Sequence, residues 1–137
     1  MLDSFDDLWL HVRRAIAIRL GSLEDTVLTA ALQKLRQSLP DAAITLMTSP
    51  SGSQAGQLPW VDEVLVYEGT LFTSNAEREL TLIETLSRRA FDAAFIFTND
   101  QESPYPLAYI CYLAEIPIRL GRSQEFGGSV LSHCVKD

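Results

Sequence analysis

The stretch AIAIRLGSLEDTV, residues 15–27, decides the fold. Its first six residues are almost all apolar, the pattern of a parallel strand covered on both faces. A turn follows with Gly21 as its one glycine, and then a helical pattern sets Leu28, Leu32, Leu35 and Leu39 on one stripe. A strand that runs through a short turn into a helix is the opening of a βαβ unit. In nucleotide-binding folds that junction is rich in glycine and cradles a phosphate. Here G-x-G-x-x-G is absent, and Glu24 and Asp25 stand side by side. Two carboxylates repel a pyrophosphate, so this loop does not read as a dinucleotide site.

The same alternation continues outward along the chain. AITLM, VDEVLVY, FDAAFIF and IPIRLG read as further strands, giving five near residues 15–20, 43–47, 63–67, 93–97 and 116–120. Between them lie helical patterns. EDTVLTAALQKLRQSL is stopped by Pro40-Asp41. AERELTLIETLSRRA is capped by Ser74 or Asn75, with Glu77 and Glu79 early and Arg88-Arg89 late. PLAYICYLAE is short and strongly apolar, started by Pro104 and Pro106. Strands alternating with helices imply parallel pairing through crossovers. The expected fold class is α/β, a Rossmann-like doubly wound parallel sheet of about five strands. Residues 1–12 read as a helical extension, with Ser4 as cap and Phe5, Leu8, Trp9 and Val12 on a stripe that docks on the domain. Residues 13–137 read as the domain itself. A five-stranded domain does not need the apolar SVLSHCV near the end, which reads as the start of an interdomain link.

The totals narrow the partners. A chain of 137 residues supports one domain with a real core. Its formal charge of −7 argues against nucleic acid, because phosphate binding needs clustered Lys and Arg, and the pairs Arg13-Arg14 and Arg88-Arg89 are too small for that. Cys111 and Cys134 form no C-x-x-C pair, and neither His11 nor His133 lies at metal-ligand spacing from them, so reduced structural thiols are expected and neither metal nor cofactor is. The N-terminus is acidic first and basic later, the reverse of a secretory signal, and no apolar run is long enough to span a bilayer.

Ligands of an open parallel sheet bind beyond the carboxyl ends of its strands. That edge carries GSLED, TSPSGS, EGTLFTSN, FTNDQESPYP and GRSQEFGG, and the first and fourth of these hold the candidate site residues. Ser22 and Asp25 make the capping-box pattern S-x-x-D, and on spacing alone this structural role stands ahead of a catalytic one. The catalytic reading has Asp25 accept a proton from a substrate hydroxyl. In FTNDQESPYP, Asn99, Gln101 and Ser103 can hydrogen-bond hydroxyls, and Tyr105 can stack on a sugar face. An ordinary turn at Asn99-Asp100 leading into a helix explains the loop as well.

Together the segments IAIRLGSLEDTVLTAALQKLRQSLPDAAITL, VDEVLVYE, RRAFDAAFIFTND, LAYICYLAEIPIRLG and VLSHCV resemble, in order and spacing, the N-terminal half of family 9 glycosyltransferases, the bacterial ADP-heptose:lipopolysaccharide heptosyltransferases and their relatives. The resemblance spans residues 13–135. It implies one half of a two-domain GT-B enzyme, in which this half holds the acceptor sugar and a C-terminal half, absent here, holds the nucleotide-sugar donor. It further implies an inverting, metal-independent transfer to a saccharide or glycolipid acceptor in the cytoplasm or at the inner membrane surface, with this half inactive by itself. The family's loop base, in a pattern like S-x-L-G-D, matches Asp25, or Glu24 if the alignment gap is drawn elsewhere. Ser22, Asn99, Asp100, Gln101 and Ser103 are the expected acceptor contacts.

Two departures bear on the acceptor and the base. Glu24 replaces the family's glycine, and the proline of its following helix is missing from LTAAL. The basic residue that commonly meets an anionic core sugar is also absent from NDQESPYPLA, which favours a neutral or differently charged acceptor. The competing class is a non-catalytic α/β binding or regulatory domain, either a degenerate relative or a receiver-like module. A receiver needs a phosphoacceptor Asp closing a central strand, and Asp100 is the nearest candidate.

Overall fold

Alternating side chains along β1 (Arg14–Arg19) divide the core in two. Ala15 and Ala17 point to one face, Ile16 and Ile18 to the other, and all four are fully buried. The computed structural model describes residues 11–20, 25–49, 60–67, 76–98, 105–122 and 133–135. After β1 come α1 (Asp25–Ser38), β2 (Ala43–Thr48), β3 (Glu63–Val66), α2 (Ala76–Arg89), β4 (Ala93–Ile96), α3 (Tyr105–Leu113), β5 (Ile118–Arg122) and β6 (His133–Val135).

The strands form one parallel sheet in the order β3-β2-β1-β4-β5-β6. The α/β Rossmann-like layout expected from the sequence is therefore present. The order also differs from the 2-1-3-4-5 order of receiver and flavodoxin-like domains, which removes the receiver-like alternative. From β1 the chain builds outward to β2 and β3. It then returns to lay β4 on the opposite flank of β1, in register from Ala15↔Ala93 to Ile18↔Ile96.

Two strands differ from expectation. The fifth begins at Ile118 rather than 116, because Pro117 has no N–H for the ladder and the Ile116 N–H already closes the end of α3 on the Cys111 carbonyl at 3.1 Å. The second difference is β6. His133–Val135, read from sequence as part of a link, pairs with β5 from Leu120↔His133 to Arg122↔Val135. The open N–H and C=O row of β5 offers any following extended segment a ladder. The proposed helix at residues 1–12 lies outside the described residues apart from His11 and Val12, and Val12 is buried against the α1 side of the sheet.

On one face Leu32, Leu35 and Leu39, from α1 and its end, pack on Ala15, Ala17, Ile44, Leu46, Ala93 and Phe95. On the other, Leu82 and Leu86 of α2 and Leu107, Ala108, Ile110 and Cys111 of α3 cover Ile16, Ile18, Met47, Ala94 and Ile96.

The strands' amino ends are tied by two aspartates used in the same way. Asp92, just before β4, accepts the N–H groups of Arg13 (2.7 Å) and Arg14 (3.0 Å) at the start of β1. Asp62, just before β3, accepts the Ile44 N–H of β2 (2.8 Å) and pairs with Arg36 (2.7 Å). Arg36 also donates to the carbonyls of Trp60, Leu39 and Ala42, so one guanidinium holds the end of α1 to the strand entries. These contacts all lie at the amino edge of the sheet.

Candidate functional site

The chain reverses its direction of winding between β1 and β4, and the crevice beyond their carboxyl ends is the place where open α/β sheets take ligands. The two strand ends are bonded to each other. The Phe97 N–H donates to the Ile18 carbonyl at 2.9 Å, one residue past β4. The loops that leave this junction are the two singled out in the sequence. Residues 21–24 follow β1, and residues 99–104 follow β4.

Of the proposed site residues, Asp25 is placed at the start of α1, on the carboxyl side of β1. Ser22, Glu24, Asn99, Asp100, Gln101 and Ser103 lie outside the described residues. The topology thus starts the segment that carries Glu24 and the segment that carries Asn99 to Ser103 from adjacent strand ends.

One group at this junction is not among the residues proposed from sequence. Arg19 ends β1 with only 2% of its surface exposed, and its Nη1 donates to the Phe97 carbonyl at 3.2 Å. Alternation along β1 puts it on the face of Ala15 and Ala17, the face covered by α1. The available signal was a cation closing an otherwise apolar strand, AIAIR. A buried charge needs partners.

A second concavity opens at the same edge, next to the outer strand. It has a volume of 580 Å³ and is lined by Leu65, Val66, Tyr67, Arg78, Thr81 and Thr85, among others. Burial pushes the Tyr67 phenol above its usual range. Cys111 carries no reactive thiolate. It is fully buried in α3, and burial pushes its thiol up to about 12. Among the described residues no group of three or more His, Cys, Asp or Glu side chains could hold a metal ion. Among the same residues no helix is long and apolar enough to cross a membrane.

No family model and no curated protein matches the chain. Among solved structures it is similar to the crystal structure of the glycosyl transferase family 9 protein from Veillonella parvula DSM 2008, with a TM-score of 0.65 and 17% sequence identity. The match covers 90% of this chain and 36% of that one. The chain therefore has the fold of part of a family 9 glycosyltransferase and spans little more than a third of that chain's length.

Proposed function

We propose that this chain is the acceptor-binding half of an inverting glycosyltransferase. The observation that supports the reading most is the pairing of two facts at one place. The fold is that of part of a glycosyltransferase, and its switch point is flanked by a loop bearing Glu24 and Asp25 and a loop dense in amide and hydroxyl groups. Asp25 takes the proton of an acceptor hydroxyl. The freed oxygen attacks the anomeric carbon of a nucleotide-sugar, the bond to the nucleoside diphosphate breaks, and the diphosphate leaves with the electron pair. Ser22, Asn99, Asp100, Gln101 and Ser103 hold the acceptor. The donor belongs to a second half, corresponding to the part of the solved chain that this one does not cover. With no Lys or Arg between 99 and 108, a neutral saccharide suits the site better than an anionic core sugar. Work on a glycolipid at the inner membrane surface is compatible with this assignment. A non-catalytic relative of the same fold is the competing assignment.

Substitution separates a base from a helix cap. In the longer chain carrying the donor half, Asp25→Asn keeps an oxygen that accepts a capping hydrogen bond, so its stability falls by no more than about 1 kcal/mol. Removing the base lowers transfer by roughly a hundredfold or more, read as nucleoside diphosphate released with a saccharide acceptor panel. Glu24→Gln stays active. The reverse result moves the base to Glu24, and two active variants would show that this loop is structural and the assignment is wrong.

A further inference from the structure

We propose that Arg19 is a positioning residue for the transfer reaction: its buried guanidinium clamps the carboxyl end of β4 to that of β1 and so fixes the two strand ends from which the site loops leave. The inference rests on the reading of the β1 and β4 loops as the acceptor site.

Four observations meet at this residue. Arg19 closes the central strand at the point where the sheet changes its direction of winding. It is 2% exposed, so its charge was taken out of water at a cost that a surface clamp would not incur. Its Nη1 reaches across to the Phe97 carbonyl at 3.2 Å, just past the last paired residue of β4, while the Phe97 N–H is held by Ile18 at 2.9 Å. Phe97 is thereby gripped on both its backbone groups by β1, directly before the loop that carries Asn99 to Ser103. Arg19 also lies on the sheet face that α1 covers, at the edge from which α1 starts with Asp25.

Packing alone does not call for an arginine here. A methionine has a similar length and needs no counter-charge, and buried ionic groups are often replaceable by apolar ones without loss of stability. What methionine cannot do is donate to a strand-end carbonyl. A hydrogen bond from a charged donor is stronger than a neutral one, and its effect is local to the groups it joins. The ends of β1 and β4 are therefore where its replacement is expected to act first.

The test uses the full chain with Arg19→Met and Arg19→Lys, and its first readout is backbone hydrogen exchange, which needs no substrate. The expected result for Arg19→Met is faster exchange, by about tenfold, in peptides covering 20–25 and 97–104, with the peptide covering 43–48 within about twofold of wild type. Arg19→Lys keeps the charge but loses the fork, and falls between the two. Unchanged exchange at the loops, or equal loosening everywhere, overturns the clamp. If Arg19→Met does not fold, the same comparison in Arg19→Lys decides it. In a chain that carries a donor half and transfers sugar, a clamp that sets the strand ends lowers kcat more than it raises KM, and lysine restores part of the loss. A wild-type protein that transfers no sugar would overturn the transferase reading, while the exchange pattern still decides the clamp separately.

Discussion

Asp62 shows how far a single carboxylate can organise an edge of the sheet. The Ile44 N–H at 2.8 Å holds its carboxyl below the usual range; burial pushes the other way, and the Arg36 guanidinium adds to the lowering. A group whose folded value is depressed contributes stability above its unfolded value, near 4, and loses that contribution as pH falls through the folded value. Asp62→Asn keeps an acceptor for Ile44 but no charge for Arg36. The expected cost at pH 7 is at most about 1 kcal/mol, since the side chain is half-exposed and water screens the pair. Urea midpoints of the two proteins at pH 7 and pH 3 check it, and the gap should narrow at the lower pH. A gap that does not change with pH would mean that the charge of Asp62 does nothing. The same scale shows what sequence reading reaches and what it misses. Asp62 and Asp92 carry no signal of this role in VDEVLVYE and RRAFDAAFIFTND, because an aspartate before a strand looks like any turn residue until the neighbouring strand supplies the N–H groups. Arg19 was missed for the opposite reason. It sat in full view in AIAIRL, and only the pairing of β1 with β4 gives it the Phe97 carbonyl.

At the scale of elements, the helices were legible because their apolar spacing and charged ends agree. α2 has Glu77 and Glu79 in its first turn and Arg88 and Arg89 in its last. Their exits were less legible. α2 and α3 end on residues with left-handed backbone, Ala90 at φ 53° and Glu115 at φ 64°, where a glycine would have announced the stop. At Glu115 the closing bonds run from its N–H to the Tyr112 carbonyl (3.0 Å) and from Ile116 to Cys111 (3.1 Å), the Schellman pattern. A side chain in this region clashes with its own backbone, at a cost of roughly 1 kcal/mol. Glu115→Gly and Ala90→Gly are each expected to raise stability by about that amount, visible as a Tm a few degrees higher. Ser87→Gly, inside α2 on its exposed side, is the control and should lower stability by roughly 0.5 kcal/mol. Two destabilising caps would mean that the positive φ values are not held in solution. The short strand β6 escaped sequence reading for a related reason. Three residues carry too little periodicity to signal a strand, and His133–Val135 becomes one only because β5 presents an open edge.

At the scale of the whole molecule, the carboxylate bracing among the described residues lies at the amino ends of the strands, and the proposed chemistry lies at their carboxyl ends. Asp62, Asp92 and Arg36 fasten the amino ends, while the switch point opens between the carboxyl ends of β1 and β4. This polarity bears on which ligand the chain takes alone. A Rossmann-type half that binds a nucleotide offers its diphosphate a glycine-rich turn and the positive end of the first helix. Here that turn has Gly21 alone and is followed by Glu24 and Asp25, in a chain of net charge −7. Like charges within a Debye length of about 8 Å are poorly screened at physiological salt, so a diphosphate meets net repulsion at this loop. The chain also spans 36% of the solved glycosyltransferase chain it resembles, and the proposed assignment gives the donor to the part that is not covered. Calorimetry of the 137-residue chain with ADP- and UDP-sugars is therefore expected to show no saturable heat, whereas the longer chain binds one of them. Removing the repulsion with Glu24→Gln and Asp25→Asn should not create binding in the short chain, because the glycine-lined cradle is absent as well. Micromolar binding by the 137-residue chain would place the donor at the β1–β4 crevice and overturn the assignment of this half to the acceptor.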